Sequence, residues 1–209
     1  MNDILPIDNK PRTSKMRKLW IIGAISALIL CGLLYAVFKI MPNLVGGTDF
    51  SRFKVGEMSA LDILRDPPMQ PTQSFADASG ASTTLAAFRG DVVLVNLWAT
   101  WCAPCITEMP MLADLQTEFA DTDLRVIAVS VDRLDDRAQA KARLAQLSNG
   151  ALAFYHDPRM AIVYPMKARG FPTSVLYDRD GKELARLAGE AKWNSNEAHA
   201  LMRAALNEK

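Results

Sequence analysis

Two of the three cysteines in this 209-residue chain, Cys102 and Cys105, are separated by two residues. A Cys-x-x-Cys pair can hold a metal ion, form a permanent structural disulfide, or cycle between dithiol and disulfide. A zinc site needs two further ligands, but the sequence has no second cysteine pair, and His156 and His199 lie far along the chain. A permanent disulfide would close a very short loop and therefore stabilise the fold little. The pattern favours redox cycling over both alternatives.

The elements predicted around the pair suit that chemistry. An apolar, β-branched run at 92–96 predicts a buried strand, and apolar residues at helical spacing over 103–120 predict a helix that begins at the cysteines. The free N–H groups and positive potential of a helix N-terminus stabilise a thiolate. We therefore expect Cys102 to be the exposed nucleophile and Cys105, further into the helix, to be the resolving thiol.

The remainder of the chain has an α/β pattern. A second buried strand is predicted at 124–131, and Asp180–Gly181 is the predicted turn of a hairpin. The other predicted elements are a helix at 135–148, a short strand near 152–155, the two hairpin strands within 173–189 and a terminal helix at 194–208. One α/β domain over 72–209 accommodates them all.

The N-terminal segment predicts a membrane anchor. Twenty residues without a charge, 19–38, would form a helix of about 30 Å, the thickness of the hydrocarbon core of a bilayer. A helix of this composition inside a soluble domain would need apolar neighbours on every side, and no small-x-small cleavage site of a signal peptide follows it. The sequence therefore predicts an uncleaved transmembrane anchor over 19–40, a basic segment over 1–18 and a linker over 41–71.

The distribution of charge predicts an orientation and disfavours one class of partner. Six of the 24 Lys and Arg residues, but only two of the 23 acidic residues, lie within 1–40. Five of these basic residues precede the predicted anchor, so the positive-inside rule places the N-terminus in the cytoplasm and the domain outside it. The rest of the chain carries 18 basic and 21 acidic residues, a net charge of −3, which disfavours nucleic acid and other polyanions as partners.

Two longer stretches carry a family resemblance: "NLWATWCAPC" at 96–105 and "ARGFPTSVLYD" at 168–178. Over roughly 72–208 the chain resembles the thioredoxin-like superfamily, and more narrowly the membrane-anchored TlpA-type thiol:disulfide interchange proteins related to ResA and CcmG. The resemblance implies a thioredoxin-like α/β fold, in which helices flank a central mixed sheet that contains an inserted helix and strand. It implies no cofactor beyond the redox-active disulfide and no bound metal.

The resemblance also assigns roles around the cysteines. Trp101 is expected to shape the rim of the site, with Ala103 and Pro104 beside it as substrate contacts. Pro172 matches the cis-proline loop that packs against the disulfide, whereas a plain strand-entry proline is the alternative. Phe171, which precedes it, is expected to offer backbone groups to an extended substrate segment.

One position departs from thioredoxin. The buried proton-handling aspartate of that protein falls at Asn96, which cannot titrate. In the ResA-like relatives a glutamate three residues after the second cysteine assumes this duty, and Glu108 stands at that place here. A carboxyl in a partly apolar groove near Cys105 could accept or return its proton. The alternative is an ordinary solvated helix glutamate.

The function implied by the resemblance is reduction of disulfides in specific proteins outside the cytoplasm. The expected location is the bacterial inner membrane, crossed once through 19–40, with the catalytic domain in the periplasm. Expected substrates are copper-site or haem-site cysteines in a copper chaperone, an oxidase subunit or an apocytochrome c, and the electron donor is a membrane transporter of the DsbD or CcdA type. The alternatives are a CcmG-like thioredoxin of cytochrome c maturation and a redox-inactive metal-binding module. The reductive direction rests on the resemblance alone.

Overall fold

The computed structural model describes residues 28–36 and 48–208. The chain divides into two compact units, Met1–Gly47 and Thr48–Lys209. In the first unit, helix α1 includes residues 28–36, and its large apolar side chains are exposed. Within the described ranges no helix is both long enough and apolar enough to cross a membrane. The remainder of the predicted anchor, 19–27 and 37–40, lies outside the described residues.

The second unit is built on one mixed sheet. Its strands, within the described residues, are β1 (Phe75–Ala76), β2 (Ser82–Thr83), β3 (Val92–Trp98), β4 (Leu124–Ser130), β5 (Phe154–His156), β6 (Thr173–Tyr177) and β7 (Glu183–Ala188). Their spatial order is β2-β1-β5-β4-β3-β6-β7. β3 and β4 are buried along nearly their whole length, as expected for continuous apolar runs at the centre of a sheet.

The direction of the strands brings functional segments to one edge of the sheet. β4 runs parallel to both β3 and β5, whereas β6 and β7 form an antiparallel hairpin beside β3. The carboxyl ends of β3, β4 and β5 and the start of β6 therefore meet at the same edge. The predicted strands at 92–96 and 124–131 and the hairpin turn at Asp180–Gly181 are confirmed.

Helices cover this sheet. Within 48–208 the α-helices are α2 (Ala103–Glu118), α3 (Arg137–Leu147) and α4 (Asn196–Leu206). α2 contacts β4, and α3 contacts β5, so the predicted inserted helix and strand are present and pack together. Ser195 is the N-cap residue of α4, and its hydroxyl accepts a hydrogen bond from the N–H of Ala198 at 3.2 Å.

The predicted linker over 41–71 is wrong for the part that the structure describes. Residues 48–71, here called the N-terminal strap, fold onto the domain. Two turns of 3-10 helix, Phe50–Phe53 and Gly56–Met58, contact α4. Single 3-10 turns have no extended hydrophobic periodicity, so the pattern of the sequence does not reveal them.

The N-terminal strap contributes to the core of the domain. Met58 and Leu61 of the strap are buried among the apolar side chains of the domain core. The backbones of Asp62 and Arg186 exchange two hydrogen bonds of 2.7 and 2.9 Å, which attaches the strap to β7. The folded unit therefore begins at Thr48 rather than near residue 72.

Candidate active site

The two cysteines of the Cys-x-x-Cys motif form a disulfide at the start of α2. Cys102 is the N-cap residue of α2, and its Sγ accepts a hydrogen bond from the N–H of Cys105 at 3.3 Å. Pro104 has no N–H to offer, and it lies in the first turn, where no intrahelical donor is needed. Cys102 retains 6% exposure, whereas Cys105 has none. Access from solvent is therefore to Cys102, the predicted nucleophile.

Aromatic and proline side chains form the rim beside Cys102. Trp101 is 65% exposed, and its ring meets the ring of Phe171 edge-on at 5.8 Å. The peptide bond between Phe171 and Pro172 is cis, as the resemblance implied. Ala103 and Pro104 are exposed on the first turn of α2. The structure therefore brings Phe171 against Trp101, the neighbour of Cys102 in sequence, and leaves Ala103 and Pro104 exposed directly after Cys102.

Glu108 is fully buried, so the alternative of a solvated helix glutamate does not hold. Its Oε1 accepts a hydrogen bond from Asn96 Nδ2 at 2.7 Å. Its Oε2 accepts one from the N–H of Ala191 at 3.0 Å and one from Trp193 Nε1 at 3.2 Å. These donors come from β3 and from the loop after β7, so the fold positions the carboxyl from two directions.

Burial changes the acidity of this carboxyl. Removal from water raises the pKa of Glu108 to about 7, and the nearby Glu190 carboxylate adds to the effect. The hydrogen bonds from Ala191, Asn96 and Trp193 oppose it by stabilising the charged form. Glu108 lies one helical turn beyond Cys105, on the same face of α2. A group with these properties can exchange a proton near neutral pH beside the resolving cysteine.

Asn96 and Ser174 complete the buried polar network around Glu108. They are paired in register on β3 and β6, and Asn96 Nδ2 donates to Ser174 Oγ at 2.9 Å. Asn96 Oδ1 is buried and has no hydrogen-bond donor in the described part of the chain. Sequence reasoning found Asn96 only as a departure from thioredoxin and missed Ser174, because no local signal indicates which strand neighbours β3.

A second buried network holds the loop before Cys102. The Asp132 carboxylate accepts hydrogen bonds from the N–H of Thr100 at 3.1 Å and from its hydroxyl at 2.6 Å. Ser130 Oγ also donates to this carboxylate, at 2.8 Å. His156 Nε2 donates to the carbonyl oxygen of Asp132 at 2.9 Å. Sequence reasoning assigned no role to Asp132, although a polar residue directly after a buried strand was an available signal.

In the described residues, the side chains around the cysteines do not form a metal-binding site. Among residues 28–36 and 48–208, no group of three or more His, Cys, Asp or Glu side chains is arranged to hold a metal ion.

Comparison with known proteins places this site in a family. The family model described as Redoxin matches residues 65–202. The chain belongs to the redoxin family. This redoxin is 28% identical to the thiol-disulfide oxidoreductase ResA of Bacillus cereus, over 74% of its own length and 88% of the relative's. It is 31% identical to the thiol:disulfide interchange protein DsbE of Xylella fastidiosa, over 76% of its own length and 72% of that protein's.

A solved structure of a related protein has the same fold as this chain. The crystal structure of a proposed DsbE-type thiol:disulfide interchange protein from Chlorobium tepidum superposes on this redoxin with a TM-score of 0.61. The match has 25% sequence identity and covers 69% of this chain and 99% of the other. The redoxin is therefore a thiol:disulfide oxidoreductase with a thioredoxin-like fold. The predicted relationship to ResA and CcmG is confirmed.

Proposed function

We propose that this redoxin is a membrane-tethered reductase that opens disulfides in specific proteins outside the cytoplasm. The observation that carries the proposal is the arrangement along α2: an accessible sulfur at the helix N-terminus, a buried resolving sulfur, and a buried carboxyl one turn further on. These three groups supply a stabilised thiolate, a second nucleophile and a proton acceptor.

The proposed reaction uses the two sulfurs in turn. The Cys102 thiolate attacks one sulfur of the substrate disulfide, forms a mixed disulfide and releases the other substrate sulfur as a thiolate. The Cys105 thiol then loses its proton, attacks Cys102 Sγ and releases the second substrate sulfur. Two electrons have passed to the substrate, which takes up two protons to become a dithiol. The redoxin is left with the Cys102–Cys105 disulfide that the structure contains.

Glu108 is the proposed acceptor of the Cys105 proton. Both side chains are fully buried, so bulk water is not at hand to accept this proton. Burial raises the pKa of Glu108 to about 7, which makes its carboxylate a better proton acceptor while part of the carboxyl is still ionised at neutral pH. Its conjugate acid can return the proton when the disulfide is reduced again.

The rim is the proposed docking place of an extended substrate segment that carries the target cysteine. Trp101 and Phe171 present a joined aromatic surface beside Cys102. The backbone at Phe171 and Pro172 leads directly into β6 and can hydrogen-bond a neighbouring extended chain. Aromatic side chains of this kind give large contact area with little conformational freedom to lose.

The membrane location and the partners are part of the proposal. The uncharged segment 19–38 and the basic residues before it support a single-pass anchor with the domain in the periplasm. We assign as substrates the paired cysteines of copper or haem sites in a copper chaperone, an oxidase subunit or an apocytochrome c, and as electron source a membrane transporter of the DsbD or CcdA type. Alkaline extraction should leave the full-length chain in the membrane fraction.

The test is a trapping experiment with the full-length chain. Cys105→Ser removes the resolving thiol, so the mixed disulfide on Cys102 should accumulate and identify its substrate by mass spectrometry. The double variant that also carries Cys102→Ser is the matched control and should trap nothing. Capture of proteins with paired metal-site or haem-site cysteines would support the proposal. A trap that holds no disulfide-linked protein, in cells where the donor and substrates are expressed, would contradict it.

A further inference from the structure

The hydrogen bonds around Glu108 are complete only for its charged form. Oε2 accepts two N–H groups, from Ala191 and Trp193, and Oε1 accepts Asn96 Nδ2. All three partners are donors. A protonated carboxyl is itself a donor and needs an acceptor for its O–H. None of the three contacts supplies one.

The acceptor that the protonated carboxyl needs is on the neighbouring side chain. Oε2 already uses both of its lone pairs, so the proton belongs on Oε1, which faces Asn96. Asn96 Oδ1 is a buried oxygen without a donor in the described residues. A half-turn of the amide about χ2 exchanges Nδ2 and Oδ1 and would place Oδ1 where it can accept the Glu108 proton.

We propose that Asn96 is an amide switch that donates to ionised Glu108 and turns over to accept from protonated Glu108. The inference rests on the proposed function in one respect, namely that Glu108 gains and loses a proton during turnover. Asn96 is then a positioning residue rather than a catalytic one, since it acts on the cysteines only through Glu108. An aspartate at this position could not serve both states in this way, because it has no donor when ionised.

Ser174 allows the switch to turn without losing its second contact. Its hydroxyl now accepts from Asn96 Nδ2 at 2.9 Å. A hydroxyl can also donate by rotating its hydrogen, so the same Oγ can donate to Oδ1 after the turn. One end of the amide lacks a partner in either orientation, Oδ1 before the turn and Nδ2 after it. Because these two penalties are of the same kind, the bond to Glu108 decides the orientation.

No other charged group in the described residues near Asn96 takes over the effect that protonation of Glu108 has on the amide. Within the described residues, the one charged group outside its hydrogen bonds that acts on Glu108 is Glu190, which favours the protonated form. Lys192, on the same loop, is exposed and is held by Glu57 of the N-terminal strap at 2.7 Å. From β3 the uncharged Asn96 contacts this carboxyl, and the β6 partner of Asn96, Ser174, is uncharged as well. Cys105 does not titrate while it is in the disulfide.

The test is nuclear magnetic resonance of the oxidised, ¹⁵N-labelled full-length chain in detergent micelles. At pH 9 the Asn96 NH₂ protons should show contacts to the Ser174 Hβ protons and the downfield shifts of hydrogen-bonded donors. At pH 5 both signatures should be lost, with a midpoint at the titration of Glu108, near pH 7. The side-chain amide of Gln116, fixed by bonds to Leu124 and Val126, should stay unchanged as an internal control.

Glu108→Gln provides a neutral reference for the protonated form. Its amide nitrogen would take the place of Oε1 and donate to Asn96 Oδ1, so this variant should show the low-pH pattern of Asn96 at every pH. An Asn96 amide that keeps its Ser174 contacts from pH 9 to pH 5 would overturn the inference, and so would a variant spectrum that matches the high-pH wild type.

Reductase turnover measured on the same preparation separates this inference from the proposed function. If the Asn96 amide keeps one orientation while the protein is an active reductase, the inference about Asn96 is overturned and the proposed function is not. A switching amide in a protein without reductase activity overturns the proposed function alone.

Discussion

The substitution Glu108→Gln should remove a pH dependence of stability that burial creates. Glu108 is fully buried, and its Oε2 receives two donors that a glutamine oxygen can equally receive. The glutamine nitrogen would then face Asn96, whose Oδ1 has no donor in the described residues and can accept after a half-turn of the amide. We therefore expect the variant to fold, with its side chain neutral at every pH.

The size of the effect follows from the pKa of Glu108. Burial raises it from 4.5 to about 7, and one pKa unit corresponds to about 1.4 kcal/mol, so the effect is about 3 kcal/mol. Because the folded-state pKa lies above the unfolded-state value, this stability is fully present below pH 4.5 and is lost as the pH rises through about 7. The glutamine variant lacks this change.

The assay is urea unfolding of the oxidised full-length chain, followed by tryptophan fluorescence at several pH values from about 4 to 8. Other groups titrate in both proteins, so the decisive quantity is the difference in the free energy of unfolding, variant minus wild type. This difference should move by about 3 kcal/mol in favour of the variant between the two ends of the range. Parallel profiles, with a difference constant to within about 1 kcal/mol, would refute a Glu108 that titrates near neutral pH.

Three further substitutions test other parts of the structure. Trp101→Ala should change the free energy of unfolding by less than about 1 kcal/mol, because the ring is mostly exposed. The same substitution should lower kcat/KM for a protein disulfide about tenfold and leave kcat/KM for a small disulfide unaltered. An equal loss of kcat/KM on both substrates would contradict a docking role. Leu61→Ala should cost about 2–5 kcal/mol in urea unfolding if the N-terminal strap belongs to the core, whereas a true linker residue would cost nothing measurable. Asp132→Asn should cost about 1–3 kcal/mol, because one of the acceptors that hold Thr100 becomes a donor, and an unchanged unfolding curve would show that this contact contributes nothing.

The chemistry of the site could be predicted from local sequence where its residues are close along the chain. Cys102, Cys105 and Glu108 lie within seven residues on a single helix, and the apolar run before them fixes where that helix begins. Periodicity and spacing are sufficient for the two cysteines, whereas Glu108 is identified through the resemblance to the ResA-like proteins. Pro172 needed the resemblance as well, because the sequence by itself does not distinguish a cis proline from a strand-entry proline.

The partners of Glu108 could not be predicted in the same way. Ala191 and Trp193 are 83 and 85 residues away in sequence, and they reach the carboxyl only because the hairpin folds back beside β3. Ser174 depends on the register of β6 against β3, which no short stretch of sequence encodes. Tertiary placement therefore decides the pKa of Glu108, although the resemblance to the ResA-like proteins points to the residue itself.

The prediction that the residues of the N-terminal strap form a linker was wrong for a different reason. Its glycine and proline content and its short 3-10 turns are typical of a linker, and only a few of its side chains are buried. Met58 ends one short 3-10 turn and Leu61 lies outside it, so no sustained helical or strand period marks either residue as buried. Their burial depends on an apolar surface of α4 and the sheet that forms from the other end of the chain.

The reduction potential of the Cys102–Cys105 pair in the full-length chain tests the central claim most directly, because it decides the direction of electron flow. It can be measured by equilibration with glutathione redox buffers followed by thiol alkylation. A dithiol donor supplied by a membrane transporter should have a potential well below about −180 mV. A value near about −120 mV, typical of a strong disulfide-forming oxidant, would contradict the reductase and require a role in disulfide formation instead.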